Sequence, residues 1–128
     1  MIIAVLQVQL VSTLQVLYAQ LGHSNNRSLQ LALEQANAAG GVLGRQLELV
    51  VRDDRIQPAV GTAIVREFAG SGIEFLVGAG ATTVAIAYCG LIQELKMLFV
   101  TQLPGMAITH EAFNRNVFRI NPNTYMLF

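Results

Sequence analysis

Three times along its 128 residues the chain passes from a short apolar, β-branched run into a longer stretch of helical period, and glycine or proline marks the changes. Ile2-Ile3-Ala4-Val5-Leu6, extended by Gln7 to Leu10, precedes a helix that the spacing predicts from about Ala19 to Gly40-Gly41. Leu21, Leu29, Leu31, Ala32, Leu33 and Ala36 are its expected apolar residues, and a glycine pair is a strong C-terminal stop. Leu47 to Val51 is the next strand, ending at the charged turn Arg52-Asp53-Asp54-Arg55. Pro58 suits the first turn of a second helix, with an apolar face of Ala59, Ala63, Ile64, Phe68 and Ala69 and a break at Gly70-Ser71-Gly72. Phe75-Leu76-Val77, the turn Gly78 to Ala81 and a helix from Thr82 to Leu95 repeat the pattern. Met97 to Val100 and Val117 to Ile120 are the last two strands, with an irregular loop opening at Pro104-Gly105. Alternation of this kind implies a parallel sheet with helices on both faces. Strands buried on both sides read as continuous Val/Ile/Leu runs, as these do.

That architecture accounts for much of an unusual composition. Only 12% of the residues are charged and 53% are hydrophobic, against ~25% charged in an ordinary soluble domain. Eight basic residues balance eight acidic ones, so no net field exists to track a phosphate backbone, and Arg does not interleave with aromatics. Disorder and nucleic-acid binding are both excluded. Two charge-free stretches, 1–26 and 75–93, invite a membrane reading, since a spanning helix needs ~20 apolar residues. The first carries Gln7, Gln9, Gln15 and Gln20, and the second Gly78, Gly80, Thr82 and Thr83, so neither is read as a span. No Lys or Arg stands near Met1, and Leu17-Tyr18-Ala19 is a poor cleavage site, so the start is not read as a signal peptide.

Chemistry in an open α/β sheet collects at the carboxyl ends of the strands. Here those ends are Gln9 to Thr13, Asp53-Asp54, Gly78 to Thr83 and Thr101 to Gly105. Gly78 and Gly80 permit a tight turn. Thr82 or Thr83 can either cap the following helix or join its unpaired N–H groups in holding an anion. Gly78-Ala79-Gly80 lacks the third glycine and the distant acid of a dinucleotide fingerprint, and no phosphate-loop Gly-Lys-Ser/Thr occurs. Asp53-Asp54, between Arg52 and Arg55, reads as a solvated turn, because the other acids and the late Lys of a phosphoacceptor domain are missing. Cys89 is the single cysteine and sits among Ala85, Ile86, Ala87, Leu91 and Ile92, where a buried, inert thiol is expected. His23 and His110 stand in no triad or zinc-ligand spacing. No catalytic residue, metal ligand or cofactor is therefore assigned.

Asn37 to Arg45, Leu47-Glu48-Leu49-Val50, Asp53-Asp54 with Pro58, Gly72 to Gly78 and Asn116 to Arg119 stand in one order. Together they resemble the type 1 periplasmic binding proteins, in particular the branched-chain amino acid and amide binding proteins of ABC transporters. The resemblance implies an α/β, three-layer lobe with a mostly parallel five-stranded sheet of flavodoxin-like order 2-1-3-4-5. It also implies a non-catalytic role and a periplasmic or otherwise extracytoplasmic place. In that family a ligand's carboxylate or amide is held by hydroxyls and backbone N–H groups at two loops. One matches Ala81, Thr82 and Thr83. The other follows the fourth strand over Leu103 to Met106, so Thr101, Leu103 and Gly105 join the expected lining.

Three departures stand out. Gln9 to Gln15 is longer and more apolar than the family's Ser-Gly turn. Gly105 falls about where a Ser or Thr would help, and Lys96 stands where Gly is common. Family members are also longer and supply a second lobe, so residues 1–128 are expected to form a single lobe ending before it. The implied partners are a small ligand (a branched-chain amino acid, an amide or a urea-like molecule), the second lobe, and an ABC permease. A signalling output domain would replace the permease if the lobe served as a sensor. A flavodoxin-like cofactor or enzyme domain is the alternative from another class, disfavoured because no phosphate loop, acid–base pair or metal cluster is legible.

Overall fold

The computed structural model describes residues 5–12 and 19–126. Ile2 to Ala4 of the first expected strand, Thr13 to Gln15 of its loop, Leu17-Tyr18 and the closing Leu127-Phe128 lie outside the described residues. Five strands alternate with three helices: β1 (Val5–Ser12), α1 (Ala19–Ala38), β2 (Gln46–Asp53), α2 (Pro58–Gly70), β3 (Phe75–Gly78), α3 (Thr82–Glu94), β4 (Leu98–Thr101) and β5 (Val117–Arg119). All pairings are parallel and the sheet order is β2-β1-β3-β4-β5, as expected. Right-handed crossovers that reverse direction after β2 put α1 on one face and α2 with α3 on the other.

The helix ends follow from residue chemistry. Gly40 and Gly41 take φ of +100° and +76° after α1, and the Gly41 N–H reaches back to the Ala36 carbonyl. The Asn37 side chain donates to the Leu47 carbonyl and accepts from the Leu47 N–H at 2.9 and 2.7 Å. One amide thereby pins the end of α1 to β2. Pro58 stands in the first turn of α2, where its missing N–H costs nothing. After α3, Lys96 takes φ +55°, the left-handed conformation that glycine adopts more readily.

Helical faces come out narrower than the apolar lettering suggests. Leu29, Leu33 and Ala36 are half-buried on α1, while Leu31 and Ala32 are exposed; Leu31 lies on the far side of the helix from a stripe that repeats every three or four residues. On α2 the buried set is Gly61, Ile64, Val65 and Phe68, and Ala59 and Ala63 face outward. Val65 and Gly61 belong to the core although the sequence reading passed over them.

The main correction concerns the sheet. β3 and β4 alternate between half-buried and buried residues, where both faces were expected to be covered. Register explains the pattern. Leu76, Phe99 and Val117 are partners across β3, β4 and β5 and form a buried row under α2 and α3. Val77, Val100 and Phe118 form the row on the opposite face. There Phe118 is 50% and Ile120 71% exposed, and a hollow of about 170 Å³ opens between Leu29 of α1, Val77 and Ile120. On that face α1 packs against β1 and β2, which leaves the β5 end open. Among the described residues, no helix is long and apolar enough to cross a membrane.

Candidate functional site at the carboxyl edge of the sheet

Two loops meet where β3 and β4 end. After β3, Gly78 and Ala79 both take positive φ, +108° and +99°. Gly80 leads into α3, whose N-cap is Ala81 in an extended conformation with no side-chain cap. Thr82 and Thr83 are therefore the first two helical residues, not caps, which corrects the capping alternative. The first intrahelical bond runs from the Ala85 N–H to the Ala81 carbonyl at 3.0 Å. Helix geometry thus leaves the N–H groups of Thr82, Thr83 and Val84 without an intrahelical partner. The helix start carries a partial positive charge, and no acidic residue stands in the first turn. Thr82 is half-buried and Thr83 exposed. Hydroxyls and amides at one helix start suit a carboxylate or an amide oxygen.

The loop after β4 contributes differently. Thr101 is fully buried, and its hydroxyl oxygen accepts the Leu103 N–H at 3.3 Å, so it builds the loop from beneath. The Pro104 carbonyl accepts from the N–H and the hydroxyl of Thr124 at 3.1 and 3.0 Å. Arg119 Nη1 donates to the Gly105 carbonyl at 3.2 Å, and Asn121 to the Gln102 carbonyl at 2.7 Å. These polar groups are turned toward β5 and the short 3-10 turn Thr124–Met126. Leu103 is half-buried and packs against the hydrophobic core.

The two loops touch at Gly105. A Cβ placed there would meet the Thr82 side chain, with Oγ1 at 2.8 Å and Cβ at 3.0 Å. Thr82 thus occupies the room that a Ser or Thr at 105 would need, and the hydroxyl comes from the α3 side. Gly105 has φ −56°, so alanine is conformationally allowed and only the contact opposes it. Gly105→Ala is expected to cost about 1–3 kcal/mol as overpacking, and Thr82→Ala in the same chain should recover most of it. Urea unfolding of both single variants and the double variant measures the coupling; additive costs would mean that the loops do not touch.

Beneath the first loop lies a residue that the sequence reading misjudged. Asp54 is not solvated: it is 0% exposed. Its Oδ1 accepts the Ile56 N–H at 3.0 Å, and its Oδ2 accepts the Gly80 N–H at 2.8 Å and the Tyr88 hydroxyl at 3.2 Å. Burial first, and then the Asp54 charge, push the Tyr88 hydroxyl far above its usual pKa, so it stays protonated and donates. Asp53 is the outer member of the pair and accepts the Arg55 N–H at 2.9 Å. No local signal could have separated the two acids, because Tyr88 lies 34 residues from Asp54.

Cys89 is buried as expected, its thiol donating to the Ala85 carbonyl at 3.2 Å and raised in pKa by burial. His23 and His110 are exposed. Among the described residues, no group of three His, Cys, Asp or Glu gathers as a metal site. An open groove of about 460 Å³ beside α1 is lined by His23, Ser24, Arg27 and Ser28. Those side chains are exposed, unlike the packed Thr82–Gly105 junction.

Comparison with known proteins identifies the family and the fold. The sequence model of a family described as "Periplasmic binding protein" matches residues 6–128. The chain is 32% identical over 87 residues to "Leu/Ile/Val-binding protein homolog 2" of Brucella abortus (strain 2308), covering 68% of this chain and 23% of that protein. It is 40% identical over 60 residues to the "Leucine-, isoleucine-, valine-, threonine-, and alanine-binding protein" of Pseudomonas aeruginosa, covering 47% and 16%. An ABC-type branched-chain amino acid transporter structure from Rhodopseudomonas palustris superposes with TM-score 0.86 over 94% of this chain and 33% of that one. At 21% identity that likeness is one of fold. An ABC transporter substrate-binding protein from Desulfitobacterium hafniense, in complex with Leu, has TM-score 0.76 at 25% identity, covering 92% and 34%. These relatives are named as binding or transport proteins, not as enzymes. The chain spans about a quarter of the length of the first curated relatives it matches.

Proposed function

Because this chain belongs to the periplasmic binding protein family, we propose that it binds the carboxylate of a branched-chain amino acid, or the equivalent end of a small amide, at the start of α3. The observation that carries this reading is the uncapped helix start, with Thr82 and Thr83 as its first residues and Gly105 closing one side. The N–H groups of Thr82, Thr83 and Val84 and the threonine hydroxyls donate to the anion, and no acidic residue stands in the first turn of the helix. Burying a charged group is tolerable only when its hydrogen bonds are made. Leu103 walls the site on the β4 side. Thr101 acts from below, by shaping that loop.

We further read the chain as one half of a cleft, whose other half comes from a second lobe that closes over the ligand. Delivery to an ABC permease in an extracytoplasmic compartment belongs to the same reading. Chemistry at the ligand has no part in it, since the groups gathered here bind and orient without activating a nucleophile.

Titration of the isotope-labelled chain with leucine, valine, aliphatic amides and urea tests the reading. Leucine is expected to shift the backbone resonances of Ala81 to Val84 and Leu103 to Met106, with affinity in the millimolar range or weaker. Shifts confined to the groove beside α1, or none at all, would refute the site. Micromolar or tighter binding would refute the half-cleft.

A further inference from the structure

The turn that carries the helix start is held in an unfavourable conformation. Ala79, at φ +99°, has a side chain where the backbone favours glycine, and such residues persist only where their surroundings over-determine them. The Asp54 side chain supplies that determination. It is fully buried at the end of β2, and β1 stands between β2 and β3 in the sheet. Its bond to the Gly80 N–H therefore spans the sheet's carboxyl edge. The same oxygen takes the Tyr88 hydroxyl, so one carboxylate grips the turn before α3 and a residue six positions into the helix. Its other oxygen holds the Ile56 N–H, in a loop where Arg55 and Ile56 both have positive φ.

We infer that Asp54, assisted by Tyr88, is a positioning residue for the ligand-binding start of α3. A bond between a carboxylate and a backbone N–H in a dry site is strong and directional. It sets where the Gly80 amide lies, and so where the N–H groups of the first helical turn point. Its functional half rests on the reading above.

Amide hydrogen exchange and leucine titration of the whole labelled chain separate the two. In Asp54→Asn, exchange at Gly80 and Ala85 is expected to rise about tenfold or more relative to the core amides of Leu76 and Phe99, with leucine shifts at Thr82 and Thr83 weakened by a similar factor. Tyr88→Phe keeps the carboxylate and removes one of its donors, so the same local pattern is expected at roughly threefold. If Asp54→Asn does not fold, Tyr88→Phe decides alone. Exchange rising equally at Gly80 and Phe99 would overturn the inference, because a generic core residue behaves that way. Local loosening with unchanged leucine affinity would also overturn it. A wild-type chain indifferent to leucine would instead refute the binding reading, and the exchange comparison would still decide whether Asp54 positions the turn.

Discussion

Phe99→Ala should destabilise the fold by about 3–5 kcal/mol, the range for truncating a buried phenylalanine, while Phe118→Ala costs about 1 kcal/mol or less. The two residues lie on neighbouring strands and carry the same side chain. Phe99 is 0% exposed. Its ring meets Tyr88 edge-on, with centroids 5.7 Å apart and planes at 70°. Alanine there removes the ring from a row that continues through Leu76 and Val117, and the helices above cannot collapse fully into the void. Phe118 is half exposed on the opposite face, so truncation removes little burial. Small domains hold only about 5–15 kcal/mol in total, so Phe99→Ala brings this chain close to unfolding. The chain has no tryptophan, so tyrosine fluorescence and far-UV circular dichroism in urea are the suitable probes. Equal costs at the two positions would mean that both faces of the sheet are packed alike.

The second large effect runs against helix propensity. Gly61 lies inside α2 and Gly90 inside α3, and each would be expected to gain about 1 kcal/mol on replacement by alanine. Gly90→Ala should show that gain, because nothing stands within 4 Å of an added Cβ. Gly61→Ala should lose about 2–4 kcal/mol instead. An added Cβ would strike the Tyr88 hydroxyl and ring, with Cε1 at 2.7 Å and Cζ at 2.8 Å. Tyr88 would have to withdraw, combining overpacking of about 1–3 kcal/mol with a lost charge-assisted bond to Asp54 of about 1.5–3 kcal/mol, partly offset by the propensity gain. Opposite signs for two chemically identical substitutions, read as midpoints of urea unfolding, are the expected outcome. A stabilising Gly61→Ala would mean that Tyr88 does not reach across to Asp54.

Much of the architecture was legible because its determinants are local. Gly40-Gly41 after Leu33 and Ala36 ends a helix by backbone freedom alone, and Pro58 opens one for an equally local reason. The alternation of apolar runs with helical stretches leads to a parallel sheet, since parallel neighbours cannot be joined by a tight hairpin and need a crossover of about a dozen residues or more. The two loops of the candidate site were also legible, as strand ends that the sheet must bring to one edge. What Thr101 and Gly105 do there was not. Their roles depend on Leu103 folding back over a hydroxyl, and on Thr82 reaching the space above a glycine 23 positions later in the chain.

Asp53 and Asp54 mark the boundary most clearly. As letters they are equivalent, two acids between two arginines. By itself the sequence determined the order of the elements, the parallel sheet and which loops follow its strands, because period, glycine and proline act over a few residues. Only the tertiary structure decided that Asp53 stays at the rim while Asp54 turns inward to hold Gly80 and Tyr88, and that one face of the sheet is sealed while the other stands open at β5. Those outcomes depend on crossover handedness and strand register, which bring together residues tens of positions apart, and no short window of sequence contains both partners.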